Sequence, residues 1–560
     1  MSADAPAGPQ VGSDGKDGKV TRDTFNSRLL FLFAAIGSAV GLGNIWRFPY
    51  VAYESGGGAF LVPYMIALLT AGIPLLWMFF ALGHRFRGSA PLVFRRIHPR
   101  AEILGWAQVG ISFFIAVYYA AIVGWALLYT MKSFTKGWGE NPGEYFSGEF
   151  LQADTESVFS GTFVMPILIT MIVVWIIVLA TLVLDVSKGI GRLNIIFIPL
   201  LLVLFIVMVV RALFLDGAST GLDALFTPDW SALTDSSVWI AAYGQIFFSL
   251  SIGFGIMITY SSYLKPRSNL TSTGLVTAFA NSSFEVLAGI GVFAALGFMS
   301  AASGVPVSEV ATSGIGLAFE AFPTIINQMP AGELFGILFF ASLAIAGVTS
   351  LISIVEVVSS AVRDKFDMSR RAAALSVGVP MAVLSILAFS ATSGLVTLDV
   401  MDKFTNNVGI VLAALVAIIV VGVMTMRINE LQQHLNSVSS FKVGATWRTF
   451  LMYVTSVILT FTLLSEVATL LDEGYGGYAD NQVFTWGWLV IIVVLVAGII
   501  MHLIPFTRRS MVLDGTPGSD FGVPPGGRAR GVSNPLADAA DGAASNASPA
   551  ASSATQGANR

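Results

Sequence analysis

Long apolar runs separated by short polar connections make up most of the chain. Each run is close to the roughly 20 residues that an α-helix needs to cross the hydrocarbon core of a bilayer. The pattern predicts an all-α membrane protein with twelve transmembrane helices. The predicted helices span 28–50, 58–82, 104–131, 162–184, 192–215, 238–263, 273–299, 333–361, 371–391, 396–426, 447–470 and 484–507.

The polar connections alternate in charge along the chain. One set is basic, with Arg85, Arg95 and Arg96 in its first member, and the other is acidic, beginning with Glu140 and Glu144. Basic connections face the cytoplasm by the positive-inside rule. Because the number of helices is even, both termini are predicted to lie on the cytoplasmic side of the cell membrane.

The two ends of the chain differ in composition from the rest. Residues 1–21 and 511–560 are rich in small and polar residues and contain no long apolar run. Such segments cannot bury enough apolar surface to offset the entropy of folding, so we predict disordered cytoplasmic tails there. The transmembrane domain is predicted to extend over 22–510.

Composition argues against several classes of function. The chain is 55% hydrophobic and 11% charged, whereas soluble domains carry about 25% charged residues. It has no cysteine, which excludes disulfides and thiolate metal ligands, and its four histidines are not spaced like metal ligands. Its net charge of −4 does not suggest a nucleic-acid partner. We therefore predict neither an enzyme nor an organic cofactor.

Glycines interrupt two of the predicted helices, at 37–44 and at 248–255. Backbone can unwind at bilayer depth only where protein or a water-filled cavity satisfies its free N–H and C=O groups. Two such breaks at corresponding positions in two halves of a chain indicate a solute-transport site near the midplane. The competing interpretation of the first break is close helix packing, because Gly37 and Gly41 form a small-xxx-small pair.

Polar residues beside the breaks favour the binding interpretation. Asn44 is an intramembrane amide, and Arg47 is an intramembrane charge, which points to function by default. Ser249 and Ser251 add hydroxyls to the second break, although serine hydroxyls also bond to carbonyls of their own helix. An unwound segment offers carbonyl oxygens to a hard cation, and a helix N-terminus offers N–H groups to a carboxylate.

Further polar residues occur at bilayer depth in other helices. Asn281 and Glu285 are four residues apart and share one helix face. Glu285 is a proton carrier, a counter-charge or one half of a structural salt bridge. Thr349 and Ser350 place adjacent hydroxyls in another helix, where packing is the simpler explanation. Tyr119 is either a further ligand or a buried core residue.

Several segments match those of a known family. They are 37–49, 56–60, 72–74, 238–255, 281–285 and 346–350, and the match extends from about residue 22 to about residue 507. The chain resembles the neurotransmitter:sodium symporter family, and especially its prokaryotic amino-acid transporters of the LeuT type. The resemblance implies an inverted repeat of helices 1–5 and 6–10, with helices 1 and 6 broken, followed by two accessory helices.

The resemblance also implies two sodium sites. The first combines side-chain and carbonyl oxygens with a carboxylate oxygen of the substrate, and its residues are Ala39, Asn44, Ser249 and Asn281. The second uses carbonyl and hydroxyl oxygens alone, from Gly37, Val40, Ala346, Thr349 and Ser350.

A substrate site between the two breaks follows from the same resemblance. The N–H groups of Leu42 and Gly43 and the hydroxyl of Tyr119 would bind a carboxylate. Carbonyls of the broken helices and the hydroxyl of Ser251 would bind an ammonium group. The implied substrate-binding residues are Ala39, Leu42, Gly43, Ile115, Tyr119, Phe248, Ser249, Ser251, Phe254, Ser350 and Ile354.

Two charged pairs would gate this site according to the resemblance. Arg47 and Asp402 would pair at the outer gate, and Arg22 and Asp364 at the inner gate. A solvated aspartate is the alternative interpretation of Asp402.

Two positions refine the implied substrate and its ions. Monoamine carriers of the family have an aspartate where this chain has Gly41, so Gly41 favours amino acids over amines. Chloride-dependent members have a serine where this chain has Glu285, so the resemblance implies that a fixed carboxylate replaces chloride here.

The sequence thus predicts a sodium-coupled secondary active symporter that takes up a neutral, hydrophobic amino acid by alternating access, without chloride. Its predicted partners are the amino acid, two sodium ions and the lipid bilayer, and the prediction allows a homodimer. The alternatives are a symporter of a betaine-like osmolyte and an amino-acid sensor that does not transport. A quaternary ammonium would favour an aromatic cage over Ser251.

Overall fold

The computed structural model describes residues 23–307 and 314–507. The predicted disordered tails at 1–21 and 511–560 lie outside these residues. Within them, ten helices are long and apolar enough to cross a membrane. They are α2 (Gly58–Phe86), α3 (Pro99–Ser133), α4 (Met165–Leu182), α5 (Ser187–Leu213), α7 (Leu270–Ser303), α8 (Gly332–Phe366), α9 (Arg370–Phe389), α10 (Gly394–Met424), α11 (Ala445–Asp472) and α12 (Asp480–Leu503).

The first and sixth predicted helices are each divided into two shorter helices. The first consists of α1a (Arg28–Ala39) and α1b (Leu42–Glu54). The sixth consists of α6a (Ser236–Ser249) and α6b (Ile256–Ser261). The glycine-rich segments of the sequence therefore break the helices where the pattern predicts, and the all-α fold class is confirmed.

Several helices begin at a polar residue that accepts a backbone N–H group of the first turn. Ser27 caps α1a at 3.2 Å, Asp235 caps α6a at 2.8 Å and Asn269 caps α7 at 3.1 Å. The first N–H groups of a helix have no partner within it, and a short polar side chain at this position satisfies one of them. These caps fix where the helices around the two breaks begin.

The helices differ in how far protein surrounds them. In the most apolar 18 residues, α2 and α8 are each 78% buried and α3 is 72% buried, against 22% for α11 and 28% for α12. A helix that is apolar on all sides can be covered by protein or can face lipid. A helix covered by protein is central in the bundle, and one that faces lipid is peripheral. The centre of the bundle is therefore built by α2, α3 and α8, and α11 and α12 are peripheral.

The structure also contains short helices that the pattern of membrane-length apolar runs does not predict. Ile428–Val438 follows α10, and its residues Ile428, Leu431 and Leu435 are buried along one face. Their spacing of three and four residues is that of an amphipathic helix. The segment is too short to cross a bilayer, which is why a length-based prediction passed over it. A second short helix, Ala218–Phe226, follows α5.

Close contact between α2 and α6b depends on Gly83. A Cβ atom at this position would lie 2.0 Å from the carbonyl oxygen of Ile258 and 2.1 Å from the hydroxyl oxygen of Ser261. Backbone cannot yield as a flexible side chain does, so a methyl group here must push the two helices apart. Gly244 on α6a is the opposite case, because no side chain and no neighbouring helix lies within 4 Å of its Cβ position.

We expect Gly83→Ala to lower the free energy of unfolding by about 1–3 kcal/mol through overpacking. Gly244→Ala is the matched control and should leave stability unchanged or raise it, since alanine favours a helix over glycine by about 1 kcal/mol. The melting midpoint of each purified variant in detergent measures the difference. Equal midpoints for Gly83→Ala and Gly244→Ala would contradict the packing described here.

Candidate functional site

The first break lies between α1a and α1b. Gly41 is fully extended there, with φ −130° and ψ −166°. Its N–H group donates to Oδ1 of Asn44 at 2.8 Å, and the N–H group of Leu42 donates to the hydroxyl of Tyr119 on α3 at 3.2 Å. Protein side chains thus satisfy backbone groups that water satisfies in a soluble protein, as a break at bilayer depth requires.

The second break, between α6a and α6b, contains three left-handed residues. They are Ser251 (φ 53°), Gly253 (φ 98°) and Gly255 (φ 90°). Positive φ is uncommon for a residue with a side chain, so the conformation of Ser251 is unusual. The hydroxyl of Ser251 donates to the carbonyl oxygen of Ser38 at 2.8 Å. The two breaks are therefore joined directly, hydroxyl to carbonyl.

A chain of amide and hydroxyl groups links α1b, α7 and α6a. Nδ2 of Asn44 donates to Oδ1 of Asn281 at 2.8 Å, and Nδ2 of Asn281 donates to the hydroxyl of Ser249 at 3.1 Å. All three side chains are buried. The structure thus brings together the three predicted side-chain ligands of the first sodium site.

A second group of oxygens lies between α1a and α8. The hydroxyl of Ser350 lies 3.2 Å from the carbonyl oxygen of Gly37 and 3.4 Å from that of Val40. The hydroxyl of Thr349 lies 2.9 Å from the carbonyl oxygen of Ala346. These are the residues predicted for the second sodium site, and carbonyl and hydroxyl oxygens are ligands that hard cations prefer.

Glu285 is buried, and neutral groups bind both of its carboxylate oxygens. Nε2 of Gln245 donates to Oε1 at 2.6 Å, and the hydroxyl of Tyr64 donates to Oε2. Within 23–307 and 314–507 no salt bridge involves Glu285, so the structural salt bridge considered from the sequence is absent there. Sequence reasoning did not assign Gln245 or Tyr64 a role, although a glutamine at bilayer depth was a signal.

A small cavity of about 50 Å³ lies between the two breaks. The residues predicted to bind substrate all line it, and they are Ala39, Leu42, Gly43, Ile115, Tyr119, Phe248, Ser249, Ser251, Phe254, Ser350 and Ile354. The cavity is thus much smaller than the space on the side of the acidic connections, which is about 600 Å³.

A much larger cavity of about 600 Å³ lies on the side of the acidic connections. Phe248 borders both cavities, and the guanidinium of Arg47 lies 4.8 Å from the centre of its ring. The Phe248 ring approaches Gly43 so closely that a Cβ atom there would lie 2.1 Å from it. The ring therefore lies where the small cavity meets the large one.

Arg47 and Asp402 both line the larger cavity. Asp402 accepts hydrogen bonds from the hydroxyl of Tyr118 at 2.6 Å and from Nδ2 of Asn406 at 2.7 Å. In the described part of the chain no ion pair joins Arg47 to Asp402. Their pairing at a closed outer gate stays a prediction.

A network of charged side chains and a tyrosine lies at the basic end of the bundle. Arg370 binds Glu356 at 2.9 Å, and Arg363 binds Asp23 at 2.8 Å. The hydroxyl of Tyr263 donates to Glu356 at 2.6 Å. Sequence reasoning missed this network, although a glutamate inside an apolar helix with an arginine fourteen residues further on was a signal.

The predicted inner-gate pair is described only in part. Asp364 accepts the backbone N–H group of Ser89 at 2.7 Å, whereas Arg22 lies outside the described residues. The pairing of Arg22 with Asp364 therefore stays a prediction.

Comparisons with known proteins agree with this geometry. The model of the sodium:neurotransmitter symporter family matches residues 22–142 and 138–513. An uncharacterized sodium-dependent transporter of Methanocaldococcus jannaschii is 41% identical over 482 residues, covering 86% of this chain and 97% of that protein. The sodium-dependent serotonin transporter of Drosophila melanogaster is 32% identical over 509 residues, covering 84% of this chain and 80% of that protein.

The fold matches that of a solved transporter. The crystal structure of MhsT in complex with L-phenylalanine has a TM-score of 0.68 and 33% sequence identity, and it covers 80% of this chain and 100% of the MhsT chain. Together with the two broken helices and the oxygen groups beside them, these matches establish what kind of protein this is. The chain belongs to the sodium:neurotransmitter symporter family, whose members are sodium-coupled transporters and not enzymes.

Proposed function

We propose that the protein takes up a neutral, hydrophobic amino acid together with sodium ions by alternating access, and that it does so without chloride. The observation that carries this proposal is the hydrogen bond between the two breaks, from Ser251 to Ser38. It brings the free backbone groups of both broken helices to one cavity. We also propose a multi-pass protein of the cell membrane with both termini in the cytoplasm, since the basic connections share one end.

The substrate's two charged groups would bind at opposite sides of the small cavity. The N-terminus of α1b offers N–H groups and positive dipole to the carboxylate, and the hydroxyl of Tyr119 is already within hydrogen-bond distance of Leu42. Ser251 and the free carbonyls would receive the ammonium group. Phe248 borders both the small cavity and the larger one, so we expect its ring to move when an amino acid binds.

An apolar amino-acid side chain fits the rest of the lining. Ile115, Phe254 and Ile354 contribute apolar surface to the small cavity. The related transporter MhsT binds L-phenylalanine in its crystal structure. Both observations support a hydrophobic amino acid over a betaine-like osmolyte.

We propose one sodium ion at each oxygen group. The ion at Asn44, Ser249 and Asn281 would also bind the substrate's carboxylate, which links the two solutes directly. The ion at Gly37, Val40, Ala346, Thr349 and Ser350 would bridge α1a to α8. Protein hydroxyls already lie against these carbonyl oxygens at 2.9–3.4 Å, so a cation needs only small shifts to replace their hydrogen bonds.

Two sodium ions carry enough energy for concentrative uptake. One charge crossing 100 mV contributes about 2.3 kcal/mol, and a tenfold concentration gradient adds about 1.4 kcal/mol. Two ions therefore supply about 7 kcal/mol, which corresponds to a solute ratio of about 10⁵.

Glu285 would supply the negative charge that other members take from chloride. Its carboxylate is held by Tyr64 and Gln245 and lies one helical turn from Asn281 on α7. Because both groups that hold it are neutral donors, its charge is available to balance a cation at the first sodium site.

The main test is uptake of radiolabelled neutral amino acids into proteoliposomes. We expect accumulation that requires an inward sodium gradient and falls about tenfold or more in Asn44→Ala, because that variant loses a side-chain oxygen of the first sodium site. Asn141→Ala, at an exposed position, is the control. Binding without accumulation would indicate a sensor, and accumulation of betaine but no amino acid would indicate the osmolyte symporter.

Replacing Glu285 tests the chloride proposal. We expect wild-type uptake to be equal in chloride and gluconate, and Glu285→Ser to transport only with chloride, because the donors Tyr64 and Gln245 would then face an empty anion site. Glu285→Gln fills the same space without charge, so chloride should not restore its uptake. Chloride-independent uptake by Glu285→Ser would contradict the proposed role.

Single cysteines test which end of the site is open, since the chain has no cysteine of its own. Asn407 lines the larger cavity, and Ser353 is buried one turn from Ser350 towards the basic end. We expect a membrane-impermeant maleimide to modify Asn407→Cys much faster than Ser353→Cys, and bound substrate with sodium to slow it. Faster modification of Ser353→Cys would mean that the basic end opens instead.

A further inference from the structure

An apolar groove of about 300 Å³ runs along the outside of the bundle, away from the transport site. Each of three helices contributes one face to it. The lining residues are Ala101, Ile103, Leu104, Ala107 and Ile111 beside Arg100 on α3, Gly409, Leu412, Ala413, Val416, Val420 and Met424 on α10, and Ile491, Val494 and Leu495 on α12.

The groove has a buried floor and an exposed rim. Ile111, Ala413 and Val494 are each 3% exposed. By contrast, Leu495 is 41% exposed and Met424 is 62% exposed. The floor therefore lies between the helices, and the rim faces the surroundings of the bundle. An occupant would enter from the membrane and not from either aqueous side.

The length of the groove matches one leaflet of a bilayer. It extends along α10 from Met424, at the basic end, to Gly409 at the middle of that helix, and along α3 from Arg100 to Ile111. Eleven residues at a rise of 1.5 Å give about 16 Å, which is about half of the 30 Å hydrocarbon core. An extended acyl chain from the leaflet at the basic end would fill this distance.

Arg100 is the single charged residue among those that line the groove, and it stands at the mouth. Its side chain is exposed, and in the described part of the chain no carboxylate forms a salt bridge with it. The neighbouring Glu102 is bound instead by Lys365 at 2.5 Å and by Arg95. The guanidinium is therefore free to bind an anion at the level of the lipid headgroups.

We propose that this groove is a binding site for one anionic phospholipid of the leaflet at the basic end. One acyl chain lies along the buried floor between α3, α10 and α12, and the phosphate-bearing headgroup binds Arg100. A basic residue near an anionic membrane surface contributes about 1 kcal/mol, which corresponds to about fivefold tighter binding of an anionic than a zwitterionic lipid.

The site is independent of the transport site. No residue of the groove lines the cavities at the breaks, so its occupation can be measured without measuring transport. The groove does join α3 and α10, which carry Tyr119 and Asp402, to the peripheral α12. A lipid bound there would hold the peripheral helix to the helices that line the site.

Native mass spectrometry of the full chain tests the proposal. The protein is stripped of lipid in detergent and titrated with phosphatidylglycerol or phosphatidylcholine. We expect one tightly retained phosphatidylglycerol, with about fivefold preference over phosphatidylcholine. Arg100→Gln should lose the preference, and Val416→Trp, which fills the groove, should lose retention of both lipids.

Matched variants outside the groove serve as controls. Arg371→Gln removes an exposed arginine at the start of α9, and Val379→Trp enlarges an exposed valine on the same helix. Both should retain phosphatidylglycerol as the wild type does. The proposal is overturned if Arg100→Gln matches Arg371→Gln, or if Val416→Trp matches Val379→Trp. It is also overturned if Val416→Trp leaves lipid retention intact and converts a dimer to monomers, since the groove would then hold a second copy.

Discussion

Backbone polar groups at bilayer depth must be satisfied, and this constraint shapes the whole site. Each break frees N–H and C=O groups that lipid cannot bind. Side chains from other helices form hydrogen bonds with some of these groups. The hydroxyl of Tyr119 accepts the N–H group of Leu42, and the hydroxyl of Ser251 donates to the carbonyl oxygen of Ser38. The residues beside both breaks line one cavity, where we propose that sodium and an amino acid bind. The same break that would destabilise an ordinary membrane helix therefore supplies the groups of the proposed binding site.

The two ends of the site differ in how their charged residues are paired. At the basic end, Arg370 and Glu356 form a buried ion pair, and Tyr263 adds a hydrogen bond. At the acidic end, Arg47 and Asp402 line a cavity of about 600 Å³, and no ion pair joins them among the described residues. Breaking a buried pair is costly because it leaves an uncompensated charge. Opening of the basic end therefore costs free energy. We propose that closure of the protein around bound sodium and substrate offsets this cost.

The sequence predicted the features that depend on residues close together in the chain. Glycine clusters predicted both breaks, and the apolar runs predicted the helices, because these signals are local. Positions such as Asn44 and Glu285 stood out as polar residues at bilayer depth. The partners of Glu285 could not be derived, since Tyr64 is 221 residues away and the contact depends on how α2 packs against α7. The short helix Ile428–Val438 was missed because its amphipathic pattern is shorter than a bilayer crossing.

The central claim is that sodium and substrate bind to one connected site between the breaks. Linkage requires that each ligand raise the affinity for the other by the same factor. The most direct test is equilibrium binding of a radiolabelled neutral amino acid to the purified protein, at constant ionic strength, with potassium replaced stepwise by sodium. We predict that the affinity rises steeply with sodium concentration and that the rise becomes shallower in Ser350→Ala. An affinity that is the same in potassium and in sodium would contradict the account.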